Sequence, residues 1–292
     1  MKSKWLASAC LTQYRFIRQE WKTHLLLALL TFLPFCLSAQ EATKIKQAPS
    51  NSLTLGIGRA NQLDTYLSPL EYTGPQFSLL HEYRRDIAWN LKASFHSILQ
   101  AEGSATNAWG GNTDCWEGAM HYDAIWQYHL HPHILHNGLT IKVGGGIGTT
   151  LGGIYNTHGG NNPANAHLQL RMTAAVGATY SFRLFKRTWQ ANYDLDAPLL
   201  GTMFSPAFGQ SYYEIFGQGN YDHNILLTHP GNCASLRQRL TLDIPVSKTK
   251  SHNFVRVGYL GDIRQAKPNH LVQHQFGHAF TFGFVHYITQ KK

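Results

Sequence analysis

Two pairs of residues in this chain could carry hydrolytic chemistry. His121 and Asp123 are two positions apart, and Asp194 and Asp196 have the same spacing. Alternate residues of a strand share one face, and His/Asp or paired carboxylate groups can activate a water molecule. The alternative is a structural network of polar side chains inside a sheet. We favour the network, because the strand pattern places His121 well away from the strand ends.

The 17 histidines also include potential metal ligands. Two groups have suitable spacing: His129, His131, His133 and His136, and His270, His274 and His278. Pro132 interrupts the first group, so we interpret both as solvated turn histidines and expect no metal. His96 and Ser97 are adjacent on a predicted strand, point to opposite faces and cannot form a nucleophile–base pair. The chain has no GxSxG, HExxH, phosphate-loop or dinucleotide motif, and no cofactor is expected.

The elements that position these residues are long strands of alternating polarity. From Cys115 to His131 one face has Trp116, Met120, Tyr122, Trp126 and Tyr128, and the other has Glu117, His121, Asp123, Gln127 and His129. This segment is longer than most strands of soluble sheets. Strands that cross a membrane need about 9–11 residues, with apolar side chains toward lipid and polar ones toward the lumen. The pattern therefore predicts a membrane strand.

The same alternation recurs along the chain. Clear strands are predicted at 87–98, 166–183, 188–197 and the Phe-rich final segment, and weaker ones at 52–59, 76–84, 138–150, 234–245 and 253–264. Short connections at Arg85-Asp86, 132–137, 184–187 and 246–252 alternate with long ones at 60–75, 99–114, 151–165, 198–233 and 265–272. This predicts an all-β, transmembrane, antiparallel up-and-down β-barrel of about ten strands, with short periplasmic turns and long outer loops. A further hairpin in the fourth loop would give twelve. A soluble lipocalin-like barrel is the less favoured alternative.

The N-terminal segment has the features of a signal peptide. Basic residues from Lys2 to Lys22 precede an apolar run at Leu25–Leu37, and Ala39 precedes the expected cleavage site. The predicted division is 1–39 signal peptide, 40–51 periplasmic N-terminal segment and 52–292 outer-membrane β-barrel. Without residues 1–39 the net charge falls from +9 to +5, and no basic run remains. Nucleic acid is therefore not expected as a partner.

The predicted lumen is narrow and contains both signs of charge. Ten strands enclose little more than their own side chains, which favours an ion-paired interior over a diffusion pore. The charged residues on the inward face are Lys92, Lys142, Arg171, Arg237, Arg239, Arg256, Asp123, Asp194, Asp196, Asp243 and Asp262. Gly144, Gly146 and Gly148 leave space on one strand, and we expect a loop to fold into it.

The longest predicted loop supplies the candidate plug or ligand-contact residues. These are Phe204, Pro206, Phe208, Gln210, Tyr212, Tyr213 and Glu214. Of the two interpretations, bracing of the barrel and ligand binding, we favour bracing. Cys115 and Cys233 both fall near predicted outer strand ends, so a disulfide between them is permitted but not required.

Two segments resemble a known family. They are 201–216 (Gly-Thr-Met-Phe-Ser-Pro-Ala-Phe-Gly-Gln-Ser-Tyr-Tyr-Glu-Ile-Phe) and 256–265 (Arg-Val-Gly-Tyr-Leu-Gly-Asp-Ile-Arg-Gln). With the Phe-rich final strand, they look like an uncharacterised, domain-of-unknown-function family of outer-membrane β-barrels from Bacteroidetes-type bacteria. The resemblance implies the barrel and its location, and it transfers no catalytic residue. In this chain Tyr287 is followed by Ile-Thr-Gln-Lys-Lys, which departs from the usual ending of a barrel strand.

The expected protein is a Gram-negative outer-membrane barrel with a structural, binding or narrow-transport role, more consistent with a non-enzyme than an enzyme. An outer-membrane hydrolase, acting on peptides or lipids at a lumen or rim site, is one alternative, and a small selective channel is another. The expected partners are outer-membrane lipids, lipopolysaccharide and the barrel-assembly machinery, with the chain as a monomer.

Overall fold

Ten long strands form one closed antiparallel sheet in the computed structural model of the chain. The strands are β1 (Ser50–Asp64), β2 (Tyr72–Ile87), β3 (Asn90–Ala108), β4 (Asp114–Leu130), β5 (Leu139–Asn156), β6 (Ala164–Leu184), β7 (Arg187–Phe204), β9 (Cys233–Pro245), β10 (Asn253–Ala266) and β11 (Gln273–Tyr287). A four-residue strand, β8 (Ile225–Thr228), pairs with the end of β7. The long loop between β7 and β9 also contains a single helical turn, Tyr213–Gly217.

The structure describes residues 49–87, 90–111, 113–132, 138–160, 162–246 and 252–288. The predicted signal peptide, most of the predicted periplasmic segment, His133, His136 and Trp89 lie outside these residues. Within them, no helix is long and apolar enough to cross a membrane.

The sheet closes because its first and last strands pair along their full length. Ser50 lies opposite Tyr287 and Asp64 opposite Gln273, while β7 pairs with β9 on the other side. The prediction of ten barrel strands is confirmed. The twelve-strand alternative is wrong, because 213–217 forms a helical turn and the short β8 pairs only with the last four residues of β7.

The alternation of side chains sorts the two faces of the wall as predicted. Leu53, Leu55 and Ile57 are exposed on the outer surface, whereas Ser52 and Thr54 between them are buried in the interior. The Phe-rich strand behaves in the same way, with Phe280, Phe282 and Phe284 outside. In a closed sheet the backbone groups of the wall pair between strands. The side chains alone therefore determine the polarity of the outer surface and of the interior.

The two ends of the barrel differ in their connections. At one end, here called the loop end, the strands are joined by 65–71, 109–113, 157–163, 205–232 and 267–272; the other is the turn end. The strands are longer than predicted, with 13 residues in β9 and 21 in β6, so only 205–232 remains a long loop. The predicted turn at Arg85-Asp86 is wrong. Both residues belong to β2 and pair with β3, and Arg85 lies over the Phe95 ring.

The glycines of β5 allow two backbones to approach closely. A Cβ at Gly146 would lie 1.9 Å from the Ala124 carbonyl oxygen, and one at Gly144 would lie 1.9 Å from that of Trp126. The space at Gly148 is filled by Asp123 and Arg171. The expected insertion of a loop beside these glycines is therefore wrong, because an ion pair and the β4 backbone already occupy that volume.

Gly146→Val should prevent correct pairing of β4 with β5, since its Cβ would overlap backbone atoms that cannot move aside. Gly118→Val is the matched control, because an added Cβ on this glycine of β4 meets no atom within 4 Å. We expect the compact, heat-modifiable band on a gel to be lost for most of the Gly146→Val protein and kept for Gly118→Val. Equal folded fractions would contradict this account of the β4–β5 contact.

Candidate functional site

The interior toward the turn end contains a cluster of ion pairs, here called the turn-side cluster. Glu82 on β2 accepts hydrogen bonds from Arg239, at 3.1 Å, and from Arg256. Arg239 also donates to Asp196 at 2.7 Å, and Arg256 donates to Asp243 at 2.7 Å. Arg84 donates to Asp194 at 2.5 Å. These bonds connect β2 with β7, β9 and β10, so the cluster crosses the lumen.

A second group, the central cluster, lies nearer the loop end. The Asp123 carboxylate accepts two hydrogen bonds from Arg171, at 2.7 and 2.9 Å, and one from Arg237 at 2.9 Å. Arg237 also lies 3.5 Å from Asp262. Arg264 donates to Glu102 on the far wall. Short charge-assisted bonds of this kind fix the positions of both partners.

Each cluster is close to electrically neutral. The turn-side cluster has Glu82, Asp194, Asp196 and Asp243 against Arg84, Arg239, Arg256 and the buried Lys142, which interacts electrostatically with Asp194. The central cluster has Glu102, Asp123 and Asp262 against Arg171, Arg237 and Arg264. A buried charge is tolerated when it is paired and hydrogen-bonded, and this matching lets so many charged groups share one narrow interior.

The four predicted catalytic candidates belong to these clusters. His121, Asp123, Asp194 and Asp196 are each 5% exposed or less. His121 contacts Thr150 at 2.9 Å and Glu102 at 3.2 Å. The three aspartates are bonded to arginines, and no carboxylate of the four is left free to activate water. This geometry favours the structural-network interpretation over a hydrolytic site.

Glu102, His121 and Asp262 place one ligand atom each within 4.8 Å of one another, a spacing that metal sites use. However, Arg264 already contacts Glu102 and lies 3.6 Å from Asp262. A divalent cation would add positive charge to a cluster that is already matched. The expectation of no metal stays a prediction.

Among the remaining histidines, His129 and His131 lie side by side, with ring centroids 6.3 Å apart. His129 is buried and bonded to Ser94 at 2.7 Å, so its interpretation as a solvated turn residue is wrong. It faces the lumen, and the preceding strand supplies its partner. His274 stacks on Phe276, while His278 contacts Tyr259. His270 lies in a single helical turn before β11.

A small cavity of about 80 Å³ lies at the loop end of the lumen, above the central cluster. Its wall includes Asp64, Glu117, His167, Gln275 and Arg264. His167 lies between the two carboxylates, with Nε2 3.4 Å from Asp64 and Nδ1 3.7 Å from Glu117. Asp64 accepts a hydrogen bond of 2.6 Å from Asn165, and Glu117 accepts one from Gln275.

The long loop covers the loop end and does not descend between the clusters. Tyr66 donates to the Gln210 carbonyl at 2.8 Å, and burial, with smaller effects of Tyr212, Asp64 and Glu214, raises the pKa of Tyr66 to about 12. Tyr212 donates to Asn165 at 2.8 Å and accepts from the Ala166 amide at 2.6 Å. These contacts fasten the loop to β1 and β6 at the rim.

The other predicted loop residues divide between bracing and exposure. Phe204 stacks on Phe216 and lies beside the tilted ring of Tyr212. Pro206 is buried, and Glu214 accepts a hydrogen bond from the Ser211 amide. Phe208 and Tyr213 are 83% and 70% exposed. The loop is therefore held by some of its aromatic side chains while others project away from the barrel.

Cys115 and Cys233 lie at the loop ends of β4 and β9, near the strand ends as predicted. Both are buried and both are free thiols. Cys115 packs with Tyr72 and Ile154, and Cys233 accepts a hydrogen bond from Gln169 at 3.5 Å. The disulfide that their positions permitted is not formed.

Sequence reasoning missed several members of the interior network. Glu82 and Arg84 share the inward face of a strand that the alternation did predict, so the pattern could have found them. The sequence predicts a loop at Glu102, because the small residues around Gly103 and Ser104 hide the alternation. Asp64 and His167 required the fold, since they come together from β1 and β6.

The sequence matches the family model "Protein of unknown function (DUF3316)" over residues 25–292. The chain belongs to the DUF3316 family. The resemblance to a family of unknown function is thereby confirmed, and its restriction to Bacteroidetes-type bacteria stays a prediction. A comparison with curated proteins found no match.

The chain is similar in fold to several solved outer-membrane β-barrels. The outer-membrane protease OmpT from Escherichia coli has 7% identity and a TM-score of 0.48, covering 86% of this chain and 100% of that one. The transport unit of the autotransporter AIDA-I from Escherichia coli has 8% identity and a TM-score of 0.41, covering 88% and 97%. The translocator domain of the autotransporter NalP from Neisseria meningitidis has 10% identity and a TM-score of 0.36, covering 92% of this chain and 98% of that one. At these values none of them assigns an activity to the DUF3316 chain.

Asp123→Asn should destabilise the barrel, because the buried Arg171 would lose its carboxylate partner and Arg237 would keep only Asp262, 3.5 Å away. Removing one partner of a buried ion pair typically lowers the free energy of unfolding by about 3 kcal/mol. Urea unfolding of the folded protein in detergent would measure the change. Asp222→Asn, at a residue 78% exposed in the long loop, should change stability by less than about 0.5 kcal/mol. Similar values for the two variants would argue against a structural role for Asp123.

Proposed function

We propose that this chain is an outer-membrane β-barrel of Gram-negative bacteria, exported by its N-terminal signal peptide. The support is the outer surface of the wall, where large apolar side chains are exposed on successive strands. Leu55, Ile57, Leu170 and Phe280 are each more than 60% exposed, which would be unfavourable in water and favourable against lipid. A closed sheet also meets the requirement that every backbone group in lipid be paired within the protein.

The loop end faces the outside of the cell in this proposal. Bacterial barrels of this kind have longer loops outside and short turns on the periplasmic side, and the described chain starts and ends at the turn end. The partners are outer-membrane lipids and lipopolysaccharide around the wall, and the barrel-assembly machinery during insertion. The chain acts as a monomer, since the closed sheet leaves no wall strand to pair with another copy.

The role we propose is that of a binding or structural barrel with a closed lumen, not a diffusion pore. The observation that carries this is the set of ion pairs that cross the interior. Arg84 on β2 bonds Asp194 on β7, which lies five strands away around the ring. Arg237 on β9 bonds Asp123 on β4, and Arg264 on β10 bonds Glu102 on β3. Together these side chains block the path between the two ends.

The membrane location is tested by Leu170→Lys. Leu170 is 61% exposed on the outer wall, and a lysine facing the middle of the bilayer costs roughly 2–4 kcal/mol. Membrane fractionation of cells expressing the protein should show less of the variant in the outer membrane. Phe208→Lys, at an exposed loop residue, is the control and should assemble normally. A soluble wild-type protein would refute the membrane proposal.

The closed lumen is tested by conductance in planar bilayers. We expect the wild type to give no steady current. The double variant Arg84→Ala/Asp194→Ala removes one cross-lumen pair without changing the net charge, and should give more frequent and larger openings. Asp222→Ala/His223→Ala removes an exposed pair in the long loop and serves as the control. A steady current through the wild type would instead support the small-channel alternative.

A further inference from the structure

The cavity at the loop end differs from the rest of the lumen in its charge. The carboxylates of the turn-side and central clusters have arginine partners. Lys142 supplies the fourth positive charge of the turn-side cluster. Asp64 and Glu117 in the cavity wall are held instead by neutral groups: Asn165 and the Tyr66 amide for Asp64, and Gln275 for Glu117. Among the described residues, the basic group in ion-pair contact with them is His167. One histidine is therefore shared by two buried carboxylates, and Arg264, which also lines the cavity, is bonded to Glu102.

One oxygen in this wall has capacity for a further donor. Glu117 is only 6% exposed, and its Oε1 accepts no hydrogen bond from the described residues, although His167 Nδ1 lies 3.7 Å away. The other oxygen, Oε2, is bound by Gln275. A buried carboxylate oxygen without a donor is costly, and charge-assisted bonds to it are strong. A cationic donor would satisfy this oxygen.

The shape of the cavity favours an organic cation over a metal ion. Its volume of about 80 Å³ exceeds the space of a single water molecule. Ile154, Met203 and Ala266 add apolar surface to the wall. The carboxylates face opposite nitrogens of the His167 ring, so one metal ion could not be bound by both of them and the imidazole in this arrangement.

We propose that the loop-end cavity binds a small organic cation with a primary ammonium group. The ammonium group donates to Glu117 Oε1, the Asp64 carboxylate adds electrostatic attraction, and the carbon chain contacts Ile154 and Met203. An ammonium group has three donors and no acceptor, so it suits the two carboxylates of this largely apolar wall. The floor is the central cluster, and the lining residues all belong to strands of the wall. This inference goes beyond the closed-lumen proposal and does not depend on the location of the chain in a membrane.

The test is a calorimetric titration of the folded full chain in detergent, with n-butylammonium as the probe. We expect saturable binding by the wild type and no binding of n-butanol, which has the same carbon chain without the charge. Glu117→Gln keeps the shape of the side chain and should weaken binding at least about tenfold. Asp64→Asn should weaken it as well. Asp222→Asn, outside the cavity, should bind like the wild type.

A heat-modifiability gel on each variant shows that the titrated protein is folded, and Asp64→Asn provides a second test if Glu117→Gln does not fold. Binding that is unchanged in a folded Glu117→Gln or Asp64→Asn variant would overturn the assignment. It would also be overturned if the wild type bound n-butanol equally well or did not bind n-butylammonium. Titration with Zn²⁺ or Ca²⁺ alone addresses the metal alternative, and binding of these ions but not of the amine would replace our proposal with a metal site.

Discussion

The pairing of charges across the lumen is the interaction on which the rest of this barrel depends. A ring of ten strands brings the inward side chains of opposite walls within bonding distance, and here those side chains are mainly arginines and carboxylates. Neither sign could be buried alone, because an unpaired charge in a poorly hydrated interior costs several kcal/mol. The bonds from Arg84 to Asp194 and from Arg237 to Asp123 therefore fill the interior and also hold opposite walls together. The candidate catalytic residues are members of these ion-pair clusters. The loop-end cavity is distinctive because its carboxylates are not paired with arginines.

Much of the wall could be predicted from the sequence, because the alternation of side chains is a local property. The segment from Trp116 to Tyr128 places five large apolar side chains on one face, and all of them are exposed in the fold. Strand ends were harder, since small and charged residues weaken the alternation near the rims. For this reason the sequence predicts a loop at Glu102 and a turn at Arg85-Asp86, although Arg85 and Asp86 both pair with β3.

The candidate site could be predicted only in part. The sequence places Asp123, Asp194 and Arg237 on inward faces, but which carboxylate meets which arginine depends on the register and stagger of strands distant in sequence. Asp64, Glu117 and His167 come from β1, β4 and β6 and meet only because the ring closes. The glycines of β5 illustrate the same limit. Their inward position was predicted, but the atoms that fill the space beside Gly148 come from two other strands.

The length of the strands has a consequence for the height of the barrel. A 21-residue strand such as β6 extends for about 70 Å, or roughly 50 Å along the axis at the usual tilt. The lipid-facing band of such barrels is only about 25 Å tall, so in a bilayer much of the wall would rise clear of the hydrocarbon. The loop-end cavity would then stand in the aqueous phase, enclosed by hydrogen-bonded sheet instead of by loops. A rigid enclosure of this kind keeps its shape when empty, so a ligand entering it would not have to order the chain first.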